Sequence, residues 1–251
     1  MSPRTEKGAV AVTGASRGIG AAIALELARR GFTVACLSRA GQGIEDQPVP
    51  GKLAARLIAE ACDVTDEGSV ARALRSAAEK GGGLQGLVNN AGILKTRKSE
   101  TLPTAELEEV FRTNFTGAFV ACREAQPLLV ANGGGLIVNI GSYYERLGVR
   151  NSMAYAASKA AIGAMTRCLA VEWASRNIIV LNLAPGIIET DINRAHLERP
   201  AFQEFAKARI PLGKAGNVQD VAHWVGVLFF EGARHMTGET IFLDGGQNIA
   251  H

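Results

Sequence analysis

The sequence predicts one α/β domain built on a mostly parallel sheet, and three observations support this fold class. The chain has 251 residues, of which 47% are hydrophobic and 20% charged, so it can bury one large core. Short apolar runs alternate with stretches of helical periodicity. The chain contains no internal repeat and no linker-like stretch that would divide it.

The first apolar run, residues 9–12, breaks at the glycine-rich segment 13–20 and leads into a helical pattern that continues to Arg30. Glycines let the backbone approach a pyrophosphate closely, and a helix N-terminus offers free N–H groups and the positive end of a dipole. A strand, a glycine turn and a helix in this order therefore predict a nucleotide-binding loop. The expected nucleotide contacts are Gly14, Ser16, Arg17, Gly18, Ile19 and Gly20.

The residues after the second expected strand, 33–37, bear on the choice of nucleotide. An acidic side chain at this position accepts hydrogen bonds from the adenosine ribose and repels a 2′-phosphate. Here the strand ends in Ser38 and Arg39, and Arg17 supplies a second guanidinium that can clamp a phosphate. The sequence therefore favours NADP(H) over NAD(H). The alternative interpretation is that Arg39 is a solvated loop residue.

The remaining elements are expected to follow the same alternation. Proline and glycine in 41–52 argue against a long helix there, so we expect a loop with at most a short helix. Residues 187–211 form an amphipathic but irregular insert, which is a candidate substrate lid. Further strands are expected at 57–62, 86–88, 136–140, 178–183 and 239–243, and helices at 65–80, 104–130, 154–173 and 217–230.

Small and polar residues follow several of these strands, and ligands of open parallel sheets bind outside the carboxyl ends of strands. The carboxylate of Asp63 can accept a hydrogen bond from an adenine amino group. Residues 89–92 suit either close approach to a cofactor ribose or a tight turn. Ser142 follows the expected strand 136–140 and reaches the same edge. The candidate cofactor contacts at these strand ends are Asp63, Val64, Asn90, Ala91 and Gly92.

Tyr155 and Lys159 stand four residues apart in the expected helix 154–173, so their side chains share one face. A free tyrosine titrates at about 10, and a nearby cation favours the phenolate and lowers that pKa. We therefore predict an acid–base pair, against the alternative of a surface Tyr/Lys pair. Asn114 falls inside the expected helix 104–130, either as a helix-distorting structural residue or as a polar relay.

Taken together, these motifs resemble those of the short-chain dehydrogenase/reductase family, and the resemblance extends over essentially the whole chain. The matching motifs, in family order, are Thr13-Gly14-xxx-Gly18-x-Gly20, Asp63-Val64, Asn89-Asn90-Ala91-Gly92, Asn114, Ser142, Tyr155-xxx-Lys159, Pro185-Gly186 and Thr190. The resemblance implies a single-domain Rossmann fold over residues 1–251. It further implies a doubly wound parallel sheet of about seven strands flanked by helices, and a homotetramer.

The resemblance also implies a role for each candidate catalytic residue. Tyr155 would exchange a proton with the oxygen of a carbonyl or alcohol substrate, and Ser142 would hydrogen-bond the same oxygen. Lys159 would hold the nicotinamide ribose and lower the pKa of Tyr155. Asn114 would position a water that connects Lys159 with solvent. The expected contacts with the nicotinamide end of the cofactor are Tyr155, Lys159, Pro185, Gly186, Ile188 and Thr190.

Within the family, the chain is most similar to the 3-oxoacyl-carrier-protein reductases, whose substrates are carried on CoA or acyl-carrier protein. That group docks its carrier on arginines near the active-site entrance. Arg176 stands at one expected position, whereas the other falls near Gly133 in a glycine loop. The motifs that support this similarity are 155–159, 184–191, 211–213, 237–238 and 244–246.

Three other functions remain open at this stage. Residues 170–174 and the lid 192–211 resemble gluconate and sugar-alcohol dehydrogenases of the same family. A broad ketone reductase is a second alternative, since Tyr143 and Tyr144 suit either a substrate pocket or the core or an interface. The third is a non-catalytic protein that senses NADP. Such proteins typically lack the tyrosine or the lysine that this chain has.

Composition argues against several other classes of protein. The net charge is only +3 and no Lys/Arg block occurs, so a nucleic-acid partner is not expected. No apolar run reaches the roughly 20 residues that span a bilayer, and no signal peptide is apparent. We therefore expect a cytoplasmic protein with no membrane partner.

The four cysteines lie in apolar segments and are expected to be buried free thiols, and the four histidines show no metal-ligand spacing.

Overall fold

The computed structural model of the protein describes residues 8–190, 193–233 and 235–250. Over these ranges, strands and helices alternate as the sequence predicts. The strands are β1 (Ala9–Thr13), β2 (Thr33–Ser38), β3 (Leu57–Ala61), β4 (Leu84–Asn89), β5 (Gly135–Ile140), β6 (Ile178–Pro185), β7 (Ile188–Glu189), β8 (Gly216–Asn217) and β9 (Thr240–Leu243). The helices are α1 (Gly18–Arg29), α2 (Gly51–Ala54), α3 (Glu67–Gly81), α4 (Thr104–Phe111), α5 (Gly117–Ala131), α6 (Met153–Trp173), α7 (Arg194–Leu197), α8 (Pro200–Arg209) and α9 (Val218–Phe230).

Seven of the strands form one parallel sheet in the order β3-β2-β1-β4-β5-β6-β9, which confirms the predicted sheet. The strand order reverses between β1 and β4. In sheets of this type, nucleotides bind in the crevice outside the carboxyl ends of the strands at such a reversal. The short strands β7 and β8 pair with each other outside the main sheet.

Helices cover both faces of the sheet, so its strands are apolar on both sides. On one face, α1 and α9 pack against alternate residues of β1, with Ile23 and Val225 fully buried. On the other face, α3, α5 and α6 pack around Leu74 and Leu129. This two-sided burial explains why the strands are near-continuous apolar runs in the sequence. No helix in the described ranges is long and apolar enough to cross a lipid bilayer.

Helix ends agree with the sequence where a polar cap defines them. Asn217 and Asp220 form a reciprocal capping box at the start of α9, with backbone-to-side-chain distances of 2.8 and 2.9 Å. The Asp66 side chain caps α3 by accepting from the Ser69 N–H. In 41–52, the expected loop is present, and α2 is the short helix that follows it.

Two expected elements differ from the sequence prediction. The helix predicted over 104–130 is interrupted by a π-helical turn, Arg112–Thr116, which separates α4 from α5. The insert 187–211 is more regular than expected, since it contains β7, α7 and α8. Positions 191 and 192 of this insert lie outside the described residues.

The prediction for the cysteines is right for three of them and wrong for the fourth. Cys36, Cys62 and Cys122 are buried free thiols, and burial raises their pKa values to about 12, 11 and 12. Cys168 is exposed, because it lies on the outer face of α6 beside Arg167. An apolar segment alone does not show which helix face a side chain occupies.

Candidate active site

Ser142, Tyr155 and Lys159 converge at the carboxyl end of β5. Ser142 follows that strand closely, and its Oγ accepts the Tyr144 N–H at 3.3 Å, while the Tyr144 ring packs edge-on against Tyr155. Tyr155 and Lys159 lie one turn apart on α6, and the Lys159 Nζ is 5.7 Å from the centroid of the tyrosine ring. The structure therefore brings together the three side chains that the sequence singled out.

The phenol of Tyr155 faces two opposing influences on its pKa. The side chain is half-buried in the cleft, and desolvation by burial raises its pKa to about 12. The polar side chain of Ser142 acts in the opposite direction, because it favours the phenolate and lowers the pKa of Tyr155. The sequence predicted a pKa lowered by Lys159, and this is not what the structure shows. Desolvation dominates, so Tyr155 is a protonated acid at neutral pH.

Lys159 is buried, with only 5% of its surface exposed. Its Nζ donates a hydrogen bond of 2.7 Å to the carbonyl oxygen of Ile140, the last residue of β5. Burial lowers the pKa of Lys159 to about 8, and the charge of Glu145 opposes that shift. A lysine in this state is still mostly charged at neutral pH, but it holds its proton less tightly than an exposed lysine.

Glu145 is a residue near the site that the sequence analysis missed. It stands three residues after Ser142, in the short 3₁₀ turn Tyr143–Glu145, and accepts a hydrogen bond of 2.8 Å from Asn182 Nδ2 in β6. Burial raises the pKa of this carboxyl. The sequence signal that could have revealed it is an acidic residue directly after Ser142 and the two tyrosines.

Asn114 lies in the π-helical turn and is buried. Its side-chain oxygen accepts from the Ile93 N–H at 2.8 Å, and its amide nitrogen donates to the Ile93 carbonyl at 3.0 Å and to Ser158 Oγ at 3.1 Å. Asn114 therefore ties the chain after β4 to α6. The two roles left open by the sequence are compatible here, because the distorted turn places this amide within hydrogen-bond reach of α6.

The glycine-rich loop lies at the carboxyl end of β1, beside the end of β4. Gly14 and Gly18 have φ values of +65° and +58°, which favour glycine. A Cβ at Gly20 would overlap the carbonyl oxygen of Gly14. Asn90 Nδ2 donates to the carbonyls of Thr13 and Gly14 at 3.0 and 3.1 Å, so it fixes this loop against β4. The backbone is therefore shaped for the close approach of a ligand.

A carboxylate from the same chain stands at the N-terminus of α1. Asp46 Oδ2 accepts the Gly18 N–H at 2.6 Å, and the Glu45 N–H donates to the Ser16 carbonyl at 2.7 Å. These contacts fold the segment after β2 over the glycine-rich loop. This contact shows that the Gly18 N–H donates to an anionic oxygen, as the binding of a nucleotide phosphate requires. The loop therefore fits the nucleotide that the sequence predicts.

The candidate adenosine contacts lie at the ends of β2 and β3. Ser38 is buried and its Oγ accepts the Gly41 N–H at 3.2 Å, whereas Arg39 is exposed. Asp63 Oδ1 accepts two hydrogen bonds from Thr65, which hold the pKa of this carboxyl below its usual range, with a smaller effect from Arg39. Val64 packs where a Cβ at Gly117 would lie.

The candidate nicotinamide contacts follow β6. Pro185 is the last residue of that strand, and a Cβ at Gly186 would stand 2.6 Å from the Cα of Asp244. Ile188 is buried in β7. The Thr190 N–H donates to Asn193 Oδ1 at 2.8 Å. The remaining candidate contacts, Ile19, Ala91 and Gly92, lie at the start of α1 and just after β4.

Tyr143 and Tyr144 lie between Ser142 and the insert, and both line a cavity of ≈ 780 Å³. Tyr143 is buried, and burial raises the pKa of its phenol. The Tyr144 ring meets the Tyr155 ring edge-on, with 5.5 Å between centroids. Of the roles left open by the sequence, a substrate-pocket wall fits both side chains.

Arg176 is far from this cleft within one chain. It ends the 3₁₀ turn before β6, at the amino end of the strand, and the Gly133 loop lies beside it because the Gly135 N–H donates to the Asn177 carbonyl. Ser142 and Pro185 lie at the carboxyl ends of the same strands. The expectation that Arg176 stands near the active-site entrance is therefore wrong for a single chain.

The fold and the site together define a class of protein. A doubly wound parallel sheet, a glycine-rich loop at the strand reversal and a Ser/Tyr/Lys cluster at the carboxyl edge are the features of a Rossmann-fold oxidoreductase. A family model described as enoyl-(acyl carrier protein) reductase matches residues 14–248. The chain belongs to the short-chain dehydrogenase/reductase family, whose members act on alcohol and ketone groups with a nicotinamide cofactor.

The chain is similar to proteins of several kinds. The chain is 36% identical to a 3-oxoacyl-[acyl-carrier-protein] reductase of Mycobacterium bovis, over 96% of this chain and 93% of the relative. It is 34% identical to 2-(R)-hydroxypropyl-CoM dehydrogenase of Xanthobacter autotrophicus, over 93% of this chain and 96% of the relative. Among solved structures, gluconate 5-dehydrogenase of Burkholderia cenocepacia in complex with NADP and tartrate has a TM-score of 0.86 and 28% identity. The match covers 97% of this chain and 96% of that structure.

Proposed function

We propose that this chain is an NADP(H)-dependent reductase that interconverts a ketone and a secondary alcohol, with a 3-oxoacyl thioester as the leading substrate class. The observation that carries the proposal is the convergence of Ser142, Tyr155 and Lys159 beside the candidate nucleotide loop. We further propose that residues 1–251 act as one catalytic domain with 187–211 as its substrate lid. A cytoplasmic homotetramer remains part of the proposal.

The nicotinamide, when bound, supplies or accepts the hydride. Tyr155 donates its phenolic proton to the carbonyl oxygen in the reductive direction and takes it back in the oxidative one. The high pKa of the phenol, about 12, keeps it in the donor form at neutral pH. Ser142 hydrogen-bonds the same substrate oxygen and stabilises its developing charge.

Lys159 supports this proton transfer from one turn further along α6. In the described structure its Nζ hydrogen-bonds the Ile140 carbonyl, which leaves two of its three N–H groups for ribose hydroxyls. An ion with hydrogen-bond partners is less penalised by burial, so we expect a higher pKa for Lys159 in the complex. The fully charged lysine then lowers the pKa of Tyr155, as the sequence predicted. Asn114 is proposed to hold the water that connects Lys159 to solvent.

The preference for NADP(H) is supported by the residues around the adenosine end. Arg39 is exposed at the end of β2, Arg17 is exposed at the start of α1, and no acidic residue directly follows β2. The gluconate 5-dehydrogenase neighbour was solved with NADP. Asp46 bears on the binding of either nucleotide, because its carboxylate on Gly18 must move before a nucleotide phosphate can take its place.

A second candidate function is the oxidation of gluconate or a related polyol. The structural neighbour solved with NADP and tartrate supports it, as does the resemblance of 170–174 and the lid. A thioester substrate carried on CoA or acyl-carrier protein is favoured by the relatives named as 3-oxoacyl-carrier-protein reductases. The position of Arg176 gives no support for carrier docking within one chain.

A kinetic panel tests the proposal. Acetoacetyl-CoA, 5-oxogluconate and an aromatic ketone are each offered to the purified protein with NADPH and with NADH. We expect consumption of NADPH in preference to NADH, with the largest kcat/KM for the thioester. A larger kcat/KM with NADH would overturn the interpretation of Ser38 and Arg39. If neither nucleotide is consumed with any of the three, the reductase proposal fails.

A further inference from the structure

The cavity beyond Tyr144 is larger than a simple ketone needs. Its volume is ≈ 780 Å³, within the usual range for small-molecule sites. Tyr143 and Tyr144 form one wall directly after Ser142, Ile187 contributes from between β6 and β7, and Gln247 from beyond β9. The cavity therefore opens at the carboxyl edge of the sheet, next to the candidate acid. It is the natural place for the part of a substrate that lies away from the reacting carbonyl.

Three arginines from separate parts of the chain line this cavity. Arg150 precedes α6, Arg199 is the N-cap of α8, and Arg209 ends that helix. No Asp or Glu side chain is among the described residues that line the cavity. Within the described ranges, none of the three arginines forms an ion pair or a side-chain hydrogen bond. Other arginines of the chain, such as Arg97 and Arg123, do form such pairs.

Apolar residues elsewhere in the cavity lining strengthen the electrostatic field of these arginines. Phe202 and Phe205 of α8 face the cavity, and their ring centroids lie 5.9 Å apart. Phe205 is 42% exposed, although it is a large apolar side chain. Charges in a concave site with apolar walls create a stronger field than the same charges on a flat surface. An anion that entered would meet three exposed guanidinium groups, none of which has a side-chain partner among the described residues, beside partly apolar walls.

We propose that this cavity binds an anionic group at the far end of the substrate. The proposal rests on the proposed carbonyl reductase function and narrows its substrate class. The substrate is then an oxo or hydroxy compound that carries a carboxylate, sulfonate or phosphate several bonds from the reacting carbon. A guanidinium binds each of these groups through two parallel N–H donors. The side chains that would bind this anionic group are Arg150, Arg199 and Arg209. Arg176 lies at the opposite end of the strands and would not contact it.

The test compares matched anionic and neutral ketones. The pairs are 4-oxopentanoate with its methyl ester, and acetoacetyl-CoA with the neutral N-acetylcysteamine thioester of acetoacetate. A third anion, 4-oxopentane-1-sulfonate, distinguishes sulfonate from carboxylate and phosphate. We expect the wild-type protein to favour the anionic member by about 10-fold or more in kcat/KM, mostly through KM, since a hydrogen bond to a charged group contributes about that much.

Arg199→Met and Arg209→Met test the residues directly, with Arg176→Met as the matched control at the far edge of the sheet. Each cavity variant is expected to lose about 10-fold in kcat/KM for the anionic ketones and less than about twofold for the neutral ones. The control should change neither. Equal kcat/KM for both members of each pair in the wild-type protein would overturn the inference. So would an equal loss for both members in the cavity variants.

A binding measurement separates this inference from the proposed function. If no ketone is reduced, the proposed function fails, and calorimetric titration with 4-oxopentanoate and its methyl ester decides the inference alone. Tighter binding of the anion that is lost in Arg199→Met would support the cavity as an anion site. Equal binding of the two compounds would overturn it.

Discussion

Lys159 is the one basic side chain that is buried in the described part of the chain, and its burial disfavours the charged form. The low pKa, about 8, means that the folded protein without nucleotide binds this proton more weakly than the unfolded chain does. Lys159 therefore destabilises the nucleotide-free fold at neutral pH. A loss of stability of this kind is common at functional sites, where a residue is kept for activity and not for stability.

Replacing Lys159 by methionine should stabilise the nucleotide-free protein at pH 7, by an amount on the order of 1–3 kcal/mol. The wild-type protein pays the full charge-burial penalty below about pH 8. From there to about 10.4, the unfolded value, its stability rises with pH, since the unfolded chain binds more protons. The advantage of Lys159→Met should therefore shrink in this window. Urea unfolding at about pH 7 and 9.5 checks this, and a pH-independent difference would argue against it.

Asp46 is a second residue whose charge bears on the site. Its carboxylate accepts the Gly18 N–H, which a nucleotide phosphate would otherwise approach. Asp46→Asn keeps an acceptor but removes the charge, so we expect the affinity for NADPH to rise about fivefold, and that for NADH to rise less. Fluorescence titration measures both. Glu45→Gln controls for charge in the same loop, and an affinity for NADPH that stays constant or falls in Asp46→Asn would contradict the account.

At the scale of elements, the glycine-rich loop depends on contacts that have no room for a side chain. A Cβ at Gly20 would overlap the Gly14 carbonyl and crowd Asn90, which fixes the loop against β4. We expect Gly20→Ala to lose at least about 10-fold in nucleotide affinity and about 1–3 kcal/mol in the free energy of unfolding. Gly51→Ala in α2 is the matched control, because a Cβ there meets open space. Nucleotide affinity retained in Gly20→Ala would show that the loop tolerates a different packing.

The elements also show what the sequence can and cannot predict. Strands buried on both faces are apolar runs, and caps such as Asn217 start helices, so the order and type of the main elements followed from pattern. The π-helical turn at Arg112–Thr116 did not, because one extra residue in a turn leaves the apolar periodicity on both sides intact. The regular helix α8 was also missed, since its few buried positions give little periodic signal.

At the scale of the whole molecule, parallel strands bring distant segments to one edge. Ser142, Tyr155 and Lys159 could be predicted to converge, because strand ends and helix spacing determine where they lie. The pKa of Tyr155 could not, since it depends on how deeply the packed chain buries the phenol. The Asp46 contact and the arginine cavity depend on how loops fold back, and loops have no periodic pattern to read. Arg176 was placed near the active-site entrance by its likeness to the carrier-protein reductases. In the folded chain it lies at the amino end of β6, far from the cleft.

The central claim is that Tyr155 supplies the proton during carbonyl reduction. The most direct measurement is single-turnover reduction of acetoacetyl-CoA by Tyr155→Phe preloaded with NADPH, alongside its dissociation constant for NADPH. We expect a rate lower by about 10²- to 10⁴-fold, the usual contribution of a general acid, with NADPH affinity changed by less than about threefold. An undiminished rate in this variant would contradict the account.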